Sequence, residues 1–227
     1  MSATIVFVHG SFMTSDCWTP VIGRLVDFGI TCRTIELPFT SLNDDVDALR
    51  EAIQESKLFG PVIVVCHSYS GITTSLAAHG ADYLVYVAAR VPQPGESQLG
   101  VSKQWGTEEF RACISSLENG ASVLSPDAAS LLFNQSPRDL VDAAVRRFRP
   151  MMSEIPVVPI NNPAWMSVPS AYVVCTDDLV VNVDEQRRRA ELLHDSIEID
   201  CDHSPFYSAP DELSRAIISL SGVQVLQ

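Results

Sequence analysis

The chain alternates between runs of apolar β-branched residues and segments in which apolar residues recur at helical spacing. Thr4-Ile5-Val6-Phe7-Val8 predicts a strand, and Trp18, Val21, Ile22, Leu25 and Val26 mark one face of a helix from Asp16 to Phe28, ended by Gly29. Ile30 to Leu37 predicts a second strand, stopped by Pro38. Ser41 is placed to cap a helix whose buried face is Val46, Leu49 and Ile53, with Asp44 and Asp45 in its first turn. After Gly60-Pro61 comes Val62-Ile63-Val64-Val65, a run that suits a strand buried on both faces. A helix follows to about His79, then a strand at Tyr83 to Val87.

Between Arg90 and Met166 the rhythm changes. Helical spacing at Thr107 to Leu117, Asp127 to Asn134 and Arg138 to Phe148 is broken by Gly, Pro and Ser, and no strand of comparable strength stands out. Pro92, Pro94 and Gly95 precede this stretch, and Pro156, Pro159 and Pro163 follow it. Strands then resume at Ser170 to Cys175 and Ser196 to Asp200, with helices over Asp184 to Leu193 and Asp211 to Leu220. The pattern predicts an α/β fold: a mainly parallel six-stranded sheet with helices on both faces. The core comprises residues 1–89 and 167–227, and residues 90–166 form an inserted helical cap.

Composition narrows the function classes. With 227 residues, 46% hydrophobic and 7% aromatic, the chain can bury one large core, and disorder is not expected. A net charge of −13 opposes binding to nucleic acid or anionic membranes. The short basic runs Arg146-Arg147-Phe148-Arg149 and Arg187-Arg188-Arg189 read as solvated helix faces. Cys17, Cys32, Cys66, Cys113, Cys175 and Cys201 show neither C-x-x-C pairing nor zinc-type spacing, which suits a reducing, cytoplasmic setting. Residues 1–10 lack signal-peptide character, and no apolar run approaches the roughly 18 residues of a membrane span. The expected partner is a small-molecule substrate; a homodimer is compatible, and no metal or cofactor is called for.

The candidate chemistry lies where strands end. Cys66-His67-Ser68-Tyr69-Ser70-Gly71 joins a buried strand to a helix in the manner of a nucleophile elbow, with the small residues Cys66 and Ser70 where G-x-S-x-G has glycine. An ordinary helix cap at Ser68 or Ser70 is the alternative reading of this stretch. Asp178 and His203 each follow the end of another predicted strand, and in an open α/β sheet such ends share the ligand-binding edge. In that order the three residues suit nucleophile, acid and base, with Asp177, Asp200 and Asp202 as competitors for the acid. The N–H groups of Ser11 and Tyr69 are the candidate oxyanion donors. His67 and His9 read as local packing or loop-shaping residues, and His79 and His194 as surface residues at helix ends.

Together His9-Gly10-Ser11 with Trp18, the elbow, Cys175-Thr176-Asp177-Asp178 with Gln186, and Asp202-His203-Ser204-Pro205 resemble α/β-hydrolases of the group containing plant methyl-ester esterases and hydroxynitrile lyases, with their bacterial esterase-like relatives. The resemblance implies the α/β-hydrolase fold, a Ser68-His203-Asp178 triad, and cleavage of a carboxylic ester, thioester or lactone through an acyl-enzyme on Ser68. The family pattern C-T-x-D places the acid at Asp178. Hydroxynitrile lyases of the group carry lysine directly after the histidine; Ser204 stands there in this chain, which disfavours cyanohydrin cleavage. The rival readings are a lyase, C–C cleavage or cyclisation step on the same fold, and a non-catalytic ligand receptor.

An apolar pocket above Ser68 would draw on Phe12 and on some of Trp105, Phe110, Leu131, Leu132, Phe133, Phe148, Met151, Met152, Trp165 and Met166, about half of which must form the cap's own core. Phe12, Trp105, Phe133, Phe148 and Trp165 are the expected lining, favouring an apolar or aromatic substrate. No charged anchor for the substrate stands out.

Overall fold

The computed structural model describes residues 3–97, 100–101, 105–152 and 158–223. Its frame is a six-stranded parallel sheet in the order β2-β1-β3-β4-β8-β9, formed by β1 (Thr4–Val8), β2 (Thr31–Ile35), β3 (Val62–His67), β4 (Tyr83–Val87), β8 (Ser170–Cys175) and β9 (Asp195–Ile199). Every residue of β1, β3 and β8 is buried, as expected of strands covered on both faces. The outer strands β2 and β9 carry Thr31, Arg33 and Thr34, and Asp195, Ser196 and Glu198, polar positions that discourage edge pairing with another chain.

Local chemistry sets the helix ends. Helix α1 (Thr19–Asp27) follows a 3-10 turn at Ser15–Trp18, so the regular helix starts later than its apolar spacing suggests. Pro20 has no N–H to give to Asp16, which prevents the α-helical ladder from reaching back through that turn. Gly29 adopts φ 74° and closes the helix: its N–H reaches Val26 O at 2.9 Å, and the Ile30 N–H reaches Leu25 O at 3.1 Å. Helix α2 (Leu42–Lys57) is capped by Ser41, whose hydroxyl accepts from Asp44 N at 3.1 Å. Helix α3 (Ser70–Ala77) springs from the end of β3.

The insert departs from the expected helical cap. The stretch predicted as one helix from Thr107 to Leu117 is helical only in α4 (Glu108–Ala112), and then forms β5 (Ile114–Ser116). This strand pairs antiparallel with β6 (Ala121–Leu124), which in turn pairs with β7 (Met151–Met152). Ile114, Ser115 and Ser116 of β5 are weaker helix formers than most residues of α4, and Asn119-Gly120, with Gly120 at φ 84°, supplies the turn. The remaining expected helices form as α5 (Ala129–Leu132) and α6 (Arg138–Val145).

The insert leaves and rejoins the core through one neck. Gly95 N–H bonds Ile160 O at 2.9 Å and Ile160 N–H returns to Glu96 O at 2.8 Å. Arg189, on α7 (Val183–Ala190) and only 3% exposed, donates to Val91 O at 3.0 Å, Glu96 at 2.6 Å and Glu185 at 2.7 Å. Pro156, one of the expected boundary residues, lies outside the described residues. The C-terminal part of the core adds α8 (Pro205–Ser208) and α9 (Pro210–Ser221).

Gly71, at the start of α3, packs directly on the backbone that follows β4. A Cβ there would fall 2.2 Å from Arg90 O and 2.7 Å from Arg90 N, backbone atoms that cannot swing aside. Gly71→Ala should therefore destabilise the fold by about 1–3 kcal/mol or more, read as a lowered denaturation midpoint. Gly23→Ala is the control: nothing lies within 4 Å of its Cβ position on α1, so about 0.4–1 kcal/mol of stabilisation is expected. Equal midpoints for the two variants would contradict this reading.

Candidate active site

Ser68 occupies the gap between β3 and α3 with φ 54°, a left-handed backbone that costs a non-glycine residue on the order of 1–3 kcal/mol. The surroundings over-determine it. Its N–H donates to Val87 O at 3.2 Å, and its carbonyl accepts from Arg90 N at 3.0 Å and Gly71 N at 3.2 Å. Ser70, where the elbow pattern has glycine, is fully buried and uses its hydroxyl: it accepts from His67 N at 3.0 Å and donates to His67 O at 2.9 Å or Val8 O at 3.1 Å. Cys66 is also fully buried, and burial pushes its thiol up to about 12, so it packs as a neutral group.

His203 meets Ser68. Its Nε2 lies 3.0 Å from Ser68 Oγ, and its Nδ1 lies 2.7 Å from Asp178 Oδ2. A carboxylate can only accept, so Nδ1 carries the proton and Nε2 offers its lone pair to the serine hydroxyl. Asp178 is itself immobilised: Oδ1 accepts from Val180 N at 2.7 Å and Val181 N at 2.8 Å, and Oδ2 accepts from Gln186 Nε2 at 2.8 Å. Gln186 in turn accepts from Cys175 N at 3.0 Å, tying the acid to the end of β8. Of the four aspartates weighed for this position, only Asp178 bonds the imidazole.

The other histidines support this geometry. His67 Nε2 donates to His203 O at 2.7 Å, and the two rings lie 4.7 Å apart. Burial, then the nearby His203, hold its pKa well below the usual histidine value, so it stays neutral. Its reach across the site to the catalytic-loop backbone goes beyond the local contact expected. Gly10 leaves room for it, since a Cβ there would sit 2.7 Å from His67 Nδ1. His9 accepts from Leu37 N at 3.0 Å through Nε2 and donates to Gly10 O at 2.9 Å through Nδ1, shaping the loop that carries Ser11.

Ser11 and Tyr69 border the same cavity as Ser68, and among the described residues neither main-chain N–H donates to a protein acceptor. Phe12, at φ 63°, turns the chain directly after Ser11, and its carbonyl accepts from Arg149 N at 2.8 Å. Tyr69 is pinned by its own side chain, whose hydroxyl donates to Asp45 Oδ2 at 2.7 Å while Asp45 Oδ1 accepts from Phe39 N at 2.9 Å. The arrangement provides a hydroxyl with a base, an oriented acid behind the base, and two main-chain donors beside the reaction centre.

The cavity above Ser68 measures about 210 Å³ and is mostly apolar. Phe12 and Trp105 line it, together with Phe39, Phe110, Ile114, Met151, Met152, Val180 and Val181. Phe133, Phe148 and Trp165 do not, which corrects the expected lining. Phe133 stacks on Phe148 with ring centres 6.3 Å apart and packs against Tyr207, and Trp165 donates to Pro92 O at 2.8 Å. Phe133 and Phe148 thus pack where the cap meets Tyr207 of α8, and Trp165 helps to form the neck.

The sequence model of the alpha/beta hydrolase family matches residues 5–216. The chain belongs to this family. Among its relatives are Alpha/beta hydrolase nvfD of Aspergillus novofumigatus (strain IBT 16806), 27% identical and covering 98% of each chain, and Methylesterase 7 of Arabidopsis thaliana, 26% identical and covering 95% of each. A crystal structure of the methylesterase MES16 from Arabidopsis superposes with a TM-score of 0.79 at 20% identity, covering 97% of this chain and 99% of that one. The fold is thus shared along almost the whole length.

In this hydrolase the two carboxylates next to the acid and the base hold the cap. Asp202 is fully buried: Oδ2 accepts from Gln135 N at 3.0 Å and Ser136 Oγ at 2.8 Å, and Oδ1 accepts from Ser204 N at 2.9 Å and Ser208 Oγ at 2.7 Å. Asp177 accepts from Asn134 Nδ2 at 2.9 Å and Gln135 Nε2 at 2.8 Å. Asn134, Gln135 and Ser136 therefore fasten the cap to the loops bearing Asp178 and His203.

Asp202→Asn sets an amide N–H₂ against groups that themselves donate, and should cost about 1–3 kcal/mol of stability. The exposed Asp200→Asn should stay within about 0.5 kcal/mol of wild type. Chemical denaturation of both variants checks this, and an Asp202→Asn protein as stable as wild type would remove the clamp from the account.

Proposed function

We propose that the protein is a serine hydrolase that cleaves a carboxylic ester with an apolar or aromatic group through an acyl-enzyme on Ser68. The observation that carries this reading is the unbroken hydrogen-bonded line from Ser68 Oγ through His203 to Asp178, opening into an apolar cavity. Thioesters and lactones fall within the same chemistry. The names of Methylesterase 7 and MES16 support a small alcohol, methyl above all, as the leaving group.

In this reaction Ser68 Oγ attacks the carbonyl carbon as His203 Nε2 takes its proton, and Asp178 stabilises the imidazolium that forms. Negative charge on the carbonyl oxygen is met by the Ser11 and Tyr69 N–H groups, each worth on the order of 3 kcal/mol in comparable sites. When the tetrahedral species collapses, the C–O bond breaks and His203 returns the proton to the departing alcohol. Water then attacks the acyl-enzyme with His203 again as base, releasing the acid and restoring Ser68. Ser204, which replaces the lysine of the lyase branch, brings no cation to a departing group.

Steady-state kinetics on short aryl esters tests the proposal. Ser68→Ala and His203→Ala should each lower kcat by roughly 10⁶-fold, with little further loss in the double variant, because the two groups act as one unit. A folded Ser68→Ala protein that keeps wild-type turnover would overturn it.

A further inference from the structure

The cavity wall has one gap in it. Among the described residues that line the cavity, Gly106 alone carries no side chain, and it stands between Trp105 and α4. It belongs to a short antiparallel bridge, in which Gly106 pairs with Val181 and the Thr107 N–H donates to Val180 O at 2.8 Å. Extended backbone sends successive side chains to opposite faces. Gly106 accordingly borders the cavity, while Thr107 borders a different groove together with Leu131 and Leu179.

Nothing in the backbone calls for glycine at this position. Its φ lies outside the left-handed range, unlike that of Gly95 or Gly120. A Cβ there would meet Arg111 Cγ at 3.9 Å, Val180 O at 3.9 Å and Phe110 Cδ1 at 4.0 Å, all ordinary contact distances. All three of those residues line the same cavity. The missing side chain therefore gives its space to the cavity, not to a close approach of main chains. Gly10 and Gly71 are the contrast, since a methyl group at either would fall on neighbouring protein atoms.

Space above Ser68 is scarce. The cavity of about 210 Å³ is smaller than the roughly 300–1,000 Å³ of pockets that take drug-sized ligands. Phe12, Phe39 and Trp105 in its wall are buried, and in a close-packed interior such side chains do not make way for a longer substrate. In an apolar pocket one methylene more or less changes selectivity by about 10–200-fold. Gly106 is thus the place where the sequence determines how long a group the cavity takes.

We propose that Gly106 is a specificity-determining residue: the space left by its missing side chain receives the longer apolar half of the ester, so that a hexanoyl- or hexyl-sized group is preferred to acetyl or methyl in its place. This rests on ester hydrolysis at Ser68 and narrows its substrate class. The shared chemistry is an unbranched apolar chain on either half of the ester, and the test separates the two halves.

The quantity measured is a selectivity ratio, kcat/KM for a long ester over kcat/KM for a short one. One pair varies the acyl half, 4-nitrophenyl hexanoate against 4-nitrophenyl acetate. The other varies the alcohol half, hexyl butanoate against methyl butanoate. In at least one pair the wild-type ratio should exceed one, fall in Gly106→Ala and fall further in Gly106→Val, by about tenfold or more in the latter. Because the ratio compares two substrates on one protein, a general loss of activity cancels. Thr107→Ala is the control: it removes the hydroxyl that donates to Leu179 O at 3.0 Å, loosening the bridge without filling the cavity, and should leave the ratio near that of wild type. Should Gly106→Val not fold by circular dichroism, the lowered ratio of Gly106→Ala decides in its place.

A ratio unchanged by the Gly106 substitutions overturns the proposal, as does an equal fall in Thr107→Ala. The same pairs are titrated calorimetrically against Ser68→Ala, with and without Gly106→Val, so that turnover plays no part. Selective loss of affinity for the long ester, with no turnover of any ester by the wild-type protein, leaves the size filter standing and removes hydrolysis. Turnover of both members of each pair without a length preference does the reverse.

Discussion

The backbone of Ser68 is held in a conformation that serine would not choose, and the rest of the site depends on that restraint. Its φ of 54° lifts the hydroxyl clear of the sheet edge only because its N–H and carbonyl are engaged by Val87, Gly71 and Arg90 on the neighbouring strand end and helix. Ala88, at φ 42°, bends the chain beyond β4 so that Arg90 can reach back to Ser68. The elbow is thus a joint between two strand ends, and at Gly71 even a methyl group would meet the Arg90 backbone. Ser70 shows the opposite case: the crowded turn accepts a hydroxymethyl group because the hydroxyl finds main-chain partners on β1 and β3.

From this joint the site extends outward in pairs of sequence neighbours with divided tasks. Asp178 faces the imidazole while Asp177 faces the cap; His203 faces Ser68 while Asp202 faces the cap. The same two loops consequently orient the reacting groups and close the cavity over them. Arg149 makes a similar link on the other side: its N–H bonds Phe12 O, beside the candidate oxyanion loop, and its guanidinium lies 5.1 Å from the centre of the Phe39 ring. Cap position and reaction-centre geometry are mechanically coupled by these short connections.

Much of the frame could be read from the order of residues. The buried strands announce themselves because both faces are apolar, and Ser68, Asp178 and His203 could be placed together because parallel strands put their carboxyl ends on one edge. Strand ends alone left the acid among four aspartates and the family resemblance placed it at Asp178; the structure shows how that one is held against His203, by main-chain donors from Val180 and Val181 and the amide of Gln186. The small cap sheet was hidden because its strands are short and only partly buried, leaving Asn119-Gly120 as its one local signal. Apolar aromatics in the cap reveal that they are buried, never against what, so Phe133 and Phe148 could not be told from Trp105. Gly106 was hidden for a related reason: a glycine just before a helix reads as a break between elements until the fold sets it in a cavity wall.

The central claim is that one serine is activated by one histidine at the joint of β3 and α3. It is tested most directly by treating the native protein with a fluorophosphonate and mapping the adduct by peptide mass spectrometry. A single phosphonylated residue, Ser68, is expected, with labelling lost in His203→Ala. Labelling of Ser70, Tyr69 or Cys66 instead, or equal labelling of Ser68 without the imidazole, would contradict the account.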